Sequence, residues 1–225
     1  MVYHIFSSNL SPLNMFTYIL AYVLSVMIAI TLHEFSHAFT AYKFGDNTAK
    51  NMGRLSLNPF RHMSGLGILC FFFIGFGWAK PVQVNPMNFR NYKKANALVS
   101  LSGIITNIIT AFLFSGLYFF YVNLVGTDIG TYSNYFLIFL NYFFLFGFMI
   151  NLSLAIFNLI PIYPLDGFNF IQTFLKYNNR YVQFMYKYGN LLLIIFLITP
   201  LFDAFYGFVT NGFIHLFSLF WGLFL

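Results

Sequence analysis

The stretch MFTYILAYVLSVMIAITLHEFSH, residues 15–37, runs eighteen residues without a charge and then places two histidines, a glutamate and a serine within five positions. A run of that length suits a helix crossing a hydrocarbon core of roughly 30 Å, which takes about 20 apolar residues. Ionisable side chains at such depth are costly, about 2.5–3.5 kcal/mol for a central aspartate on insertion scales, so they mark a protein interior or a wet cavity. His33 and His37 are four residues apart, which puts both rings on one face of a helix. Glu34, the chain's only glutamate, lies on the neighbouring flank. The pattern is H-E-x-x-H, in which two imidazoles hold a zinc ion and the glutamate takes a proton from the water that the metal acidifies.

The rest of the chain agrees with a membrane setting. Of its 225 residues 60% are hydrophobic, 34 are phenylalanine and only 7% are charged, which excludes an ordinary soluble domain. Ala97 to Val125 and Tyr135 to Ile162 are further charge-free runs, and Tyr188 to Leu225 is apolar but broken by Pro200 and Asp203. The expectation is an all-α polytopic membrane protein with three core transmembrane helices around a zinc site and one or two further C-terminal spans. It forms a single integral membrane domain over residues 1–225, with its core at about 15–170. The twelve residues Leu66 to Gly77 are too few to cross and read as re-entrant or interfacial. The following GWAKPVQVNP holds two prolines and alternates Val82 and Val84 with polar neighbours, so Trp78 to Val84 reads as a short strand or hairpin. With no basic n-region and no cleavage site after it, the first span is expected to be retained. The lone Cys70 excludes an internal disulfide.

Charge sets the orientation. Eight of the eleven basic residues lie between Lys43 and Lys94, the other three are Lys176, Arg180 and Lys187, and residues 126–134 carry none. By the positive-inside rule the segments after the first and third spans face the cytoplasm. The net charge of +6 is thereby assigned to topology and lipid headgroups, with no nucleic-acid partner. The expected location is the cell membrane, multi-pass, with the active site towards the cytoplasmic side.

Zinc needs a third protein ligand and one open position. No second glutamate exists, and the position six residues after His37 is Lys43, so two common soluble solutions are closed. Asp46, Asp128, Asp166 and Asp203, with His4, His62 and His215, remain. Asp166 stands in NLIPIYPLDG, just past the cytoplasmic end of the third span, where Pro161 and Pro164 stop the helix and Gly167 frees the turn. Irregular backbone at membrane depth is tolerated where protein buries it or water fills a cavity, and a carboxylate there reaches the histidines. Asp46 is the runner-up, with a surface turn at GDN as its plainer reading, and His62 is read as a headgroup contact.

Those motifs together resemble the site-2 proteases, the intramembrane zinc metalloproteases, and in particular their small bacterial members without a PDZ domain. The resemblance rests on HEFSH (33–37), GRLSLNP (53–59), FGWAKPVQVNP (76–86), LSGIITN (101–107) and NLIPIYPLDG (158–167), in family order. It implies one zinc per chain held by His33, His37 and Asp166, with Glu34 as the acid/base. It also implies a substrate-positioning or oxyanion role for Asn107. Asn141, Asn151 and Asn158 read as interhelical glue. The chain departs from the family where no proline follows the glycine of SGIITN and where HMSGLG replaces HIDPLG. The implied reaction is hydrolysis of peptide bonds in or near transmembrane segments of membrane-protein or signal-peptide substrates. Edge hydrogen bonds from Trp78, Val82 and Val84 would hold the substrate as an added strand, and the equal alternative is a membrane-interface anchor with Trp78 at headgroup depth. The competing readings are a metal-binding polytopic transporter and a catalytically silent relative; the first leaves Glu34 unexplained and the second loses no residue here.

Overall fold

In the computed structural model, residues 11–64, 80–126, 134–176 and 178–224 are described. Helix α1 covers Pro12–Lys43, with Ser11 accepting from the Asn14 N–H at its start and Pro12 in the first turn, where a missing N–H costs nothing. A one-turn helix α2 follows at Thr48–Asn51. The long helices α3 (Tyr92–Val125) and α4 (Tyr135–Leu159) are capped by the side chains of Asn91 and Asn134. Helix α5 covers Asp166–Gln172, α6 Arg180–Ile198 and α7 Pro200–Trp221. α1, α3, α4 and α6 are long and apolar enough to cross a membrane. The chain is a multi-pass, all-α membrane protein. Pro200 makes the break expected between the two C-terminal helices.

Lipid supplies no hydrophobic drive between helices, so close approach depends on small residues and buried polar contacts. Ala21, Ser25, Ala29, His33, His37 and Ala41 recur every fourth position of α1 and are all buried. On α3 the same interval gives Ala95, Val99, Gly103, Asn107, Ala111 and Ser115, also buried. α4 contributes Gly147, Asn151 and Ala155. The three helices pack against one another along these rows, and each row carries its polar residues at the same depth. α7 packs along α3 and α4: its Tyr206 hydroxyl meets Ser153, and Trp221 donates from Nε1 to Ser115 Oγ at 3.0 Å, with Gly116 leaving room for the indole.

The strand expectation is corrected where it can be seen. Among the described residues there is no β-strand; 80–85 is an irregular segment leading to a single 3-10 turn at Pro86–Asn88. Prolines at 81 and 86 limit the ladder bonds it can make, and its amides are engaged elsewhere. Trp78, the 66–77 piece, Cys70, His4 and Asp128 lie outside the described residues.

Candidate metal centre

α4 ends at Leu159 because Pro161 cannot continue it, and the chain reverses through a cis Tyr163–Pro164 bond into α5. The reversal is tight: a Cβ on Gly167 would stand 2.3 Å from the Leu159 carbonyl oxygen. α5 is thereby folded back under α3, where Asn96 Nδ2 donates to Thr173 Oγ1 at 2.6 Å. α6 holds it there from the other side, with the Tyr186 hydroxyl donating to Gln172 Oε1 at 2.7 Å and that of Tyr181 donating to the Pro161 carbonyl.

This places Asp166 against the two histidines. Asp166 Oδ2 is 3.2 Å from Nε2 of His33 and 3.2 Å from Nε2 of His37, and the two Nε2 atoms are 3.0 Å apart. Each imidazole is turned by a bond to its other nitrogen. His33 Nδ1 is 2.6 Å from Asn107 Oδ1, and His37 Nδ1 is 2.7 Å from the Val99 carbonyl. Both acceptors demand a proton on Nδ1, so both Nε2 atoms present lone pairs. Two nitrogen lone pairs and a carboxylate oxygen that receives no hydrogen bond thus converge on one point. In a buried site such a convergence is repulsive unless a cation occupies it, and the donor set is one that zinc takes. The residues therefore fit the metal.

Gly103 makes the arrangement possible, and the sequence reading passed over it. A Cβ there would lie 2.5 Å from His33 Cε1 and 2.5 Å from His37 Nε2, so α3 lies directly on both rings. The four-residue interval joining it to Val99 and Asn107 was the available signal.

Glu34 is buried beside this cluster and its Oε2 accepts from the Val82 backbone N–H at 2.8 Å. The histidines, Glu34 and Asp166 line a cleft of about 410 Å³ that Pro81, Val82 and Val84 flank on one side. Asn96, Asn158, Asn169 and Gln172 also line it, which gives the polar end four carboxamides and no further charge.

Several expectations change. Asn107 is fully buried and engaged at both ends: besides its contact with His33, its Nδ2 donates to Asn151 Oδ1 at 2.8 Å. Asn158 faces the cleft. The Val82 N–H, expected to serve a substrate, is held by Glu34. Asp46 does not sit in a surface turn; it is fully buried and accepts four hydrogen bonds, from Thr48 N and Oγ1, Asn85 N and Asn88 Nδ2. Burial disfavours its ionised form, but these donors outweigh burial and hold its pKa below the ordinary carboxylate value. His62 is likewise buried, with Nε2 2.7 Å from the Ser56 carbonyl, because the GRLSLNP loop folds over it. Asp203 and His215 are exposed on α7, far along the chain from the cluster.

The profile described as peptidase family M50 matches residues 21–198. YwhC of Bacillus subtilis is 36% identical over 191 residues, covering 84% of each chain. Rip2 of Mycolicibacterium smegmatis is 29% identical over 203 residues, covering 86% of this chain and 73% of that one. Both carry names that place them provisionally among the zinc metalloproteases. No solved structure matches.

Proposed function

The chain belongs to peptidase family M50, the site-2 protease family, and is a zinc metalloprotease; from that premise we propose that it hydrolyses peptide bonds in or beside the transmembrane segments of its substrates. The observation that carries this reading is the convergence of His33, His37 and Asp166 in one cleft with Glu34, on helices that are apolar over membrane-spanning lengths.

In this reading His33 and His37, through Nε2, and Asp166, through Oδ2, would hold the zinc. When bound, the metal supplies a Lewis acid that acidifies water and polarises the scissile carbonyl. Glu34 is the acid/base. One carboxylate oxygen is kept in place by the Val82 N–H, and the other is left to collect a proton and pass it to the leaving amine. Asn107 acts on His33, by fixing its tautomer and ring orientation, rather than on the substrate. A transmembrane substrate helix must unwind to present a carbonyl to the cleft. The carboxamides of Asn96, Asn158 and Asn169, together with the backbone beside Val84, offer such a peptide the hydrogen-bonding partners that lipid withholds.

The basic residues from Lys43 to Lys94 and those from Lys176 onward support a cytoplasmic orientation for the cleft. His33 follows Met15 by eighteen residues, about 27 Å of helix, which supports a metal position in the cytoplasmic half of the bilayer.

The test is Glu34→Gln in the full chain, with zinc content and cleavage of a transmembrane reporter measured in parallel. Zinc is expected to stay at one per chain while hydrolysis falls at least about a hundredfold. Cut-site mapping on the wild-type reaction is expected to find cleavage in the cytoplasmic half of the reporter helix. An active Glu34→Gln protein would refute the mechanism, and a cut in the opposite half would refute the orientation.

A further inference from the structure

Asp46 is a carboxylate with no solvent exposure, and no basic side chain pairs with it among the described residues. Buried charge is tolerated only where several donors satisfy it. Here all the donors come from two places: the turn that ends the catalytic helix, and the segment that crosses the cleft. Oδ2 accepts from the Asn85 N–H at 2.7 Å, and Oδ1 from Asn88 Nδ2 at 2.7 Å and from Thr48. The joint is reinforced by the Arg90 N–H donating to the Phe44 carbonyl at 3.3 Å. Phe89 and Val84 also pack there, on Ala41, Ala95 and Val99. Gly45, in the left-handed region at φ +104°, brings the turn close to the Asn88 carbonyl.

On the other side of the cleft the same segment is anchored at Lys80. Its N–H donates to the His62 carbonyl at 2.8 Å, and its carbonyl accepts from Arg54. Residues 81–84 form a four-residue bridge between these anchors, and the bridge supplies the Val82 N–H held by Glu34 Oε2. A span that short moves its central amide appreciably only if an anchor yields.

We propose that Asp46 is a positioning residue for Glu34, acting through the 81–84 bridge. The inference rests on the reading of Glu34 as the acid/base. Asp46 follows the helix that carries Glu34, so its grip on Asn85 and Asn88 refers the bridge to the same rigid body as the carboxylate it must meet. A carboxylate is required because two oxygens accept four donors; a carboxamide offers one acceptor oxygen and turns a donor towards the others. Without the clasp the bridge shifts, the Val82 amide leaves Oε2, and Glu34 loses its orientation while the metal ligands, held by α3 and α5, keep theirs. Displacements near 1 Å in a catalytic group cost on the order of 10²-fold.

The test uses the full chain in detergent or lipid. Asp46→Asn is expected to bind zinc fully, keep KM for a transmembrane reporter within about twofold, and lose at least about tenfold in kcat. Val82→Pro, which deletes the amide hydrogen, is expected to fall similarly. The double variant is expected to be no slower than the slower single, because both act through one hydrogen bond. Asn88→Ala, which removes one donor and leaves the carboxylate, keeps the question answerable if Asp46→Asn does not fold; its expected effect is a smaller kcat loss at full zinc occupancy. Wild-type kcat in Asp46→Asn, or losses that multiply in the double variant, would overturn the proposal. So would a fall in Asn88→Ala activity that only tracks lost zinc. An active Glu34→Gln would bring down the acid/base reading itself. An inactive Glu34→Gln beside a fully active Asp46→Asn would bring down this inference alone.

Discussion

Gly103→Ala adds one methyl group where α3 lies on the histidines. The new Cβ would stand 2.5 Å from His37 Nε2, 2.5 Å from His33 Cε1 and 2.7 Å from His33 Nδ1, whereas ordinary contact begins at 3.4 Å. The rings or the helix must therefore retreat by about 1 Å, and neither is free to do so. Both imidazoles are bonded through Nδ1 to groups on α3 itself, Asn107 and the Val99 carbonyl, and α3 is wedged between α1 and α4. Overpacking of this kind costs about 1–3 kcal/mol. The greater loss is at the metal, whose ligand distances hold to about 0.2 Å. Zinc affinity is expected to fall at least about 10–100-fold, the range seen when ligand orientation is lost, with kcat/KM falling in step. Chelator competition on purified protein measures the first, and reporter cleavage at saturating and limiting zinc measures the second. Gly207→Ala and Gly212→Ala are the controls, since a Cβ at either position meets nothing within 4 Å. Alanine is the better helix former by about 0.5–1 kcal/mol, so without the clash Gly103→Ala would be mildly stabilising. Zinc affinity and kcat/KM within twofold of wild type would refute the packing argument.

Asp166→Ala is expected to lose zinc and activity together, while Asp203→Ala, on the exposed face of α7, keeps both; metal analysis of the two purified variants decides between them. Asn107→Ala removes the acceptor at His33 Nδ1 and opens the contact with Asn151, so zinc affinity is expected to fall about tenfold, and Asn107→Asp, which keeps an acceptor, is expected to recover most of it. Asp46 has a folded-state pKa below its unfolded one, so its stabilisation is complete above the unfolded value of 3.8 and is lost as pH falls through the folded value. Thermal melts are expected to show wild type exceeding Asp46→Asn by a constant margin from about pH 5 to 8, and that margin shrinking only below about pH 4.

The membrane architecture was legible because lipid imposes a one-dimensional constraint. A helix must carry about twenty apolar residues in a row, and any polar exception must be sheltered, so Met15 to Leu32 followed by HEFSH states both a span and a site. Helix ends were legible for a similar local reason, since Pro161 and Pro200 interrupt helices whatever surrounds them. Asp46 and His62 show where that reasoning stops. Each stands in a short polar stretch that reads as surface, and each is buried, because segments thirty-nine residues away for Asp46 and six for His62 fold over it. The strand expectation failed the same way over its described residues, 80–84: alternation suited a strand, but the amides of Val82 and Asn85 found carboxylates instead of a neighbouring strand. Taken alone, then, the sequence determined the class of chemistry and the apolar helix that carries it, because residue type and helical spacing suffice for two imidazoles and a carboxylate on one turn. Tertiary structure alone decided how the groups are aimed: Gly103 laid against the rings, Asn107 and Val99 selecting their tautomers, and a bridge from Lys80 to Asn85 presenting an amide to Glu34. The contacts to His33, His37 and Glu34 join residues 48 to 74 apart for which no local pattern exists, since a hydrogen bond between helices depends on where both backbones pass and not on what either spells.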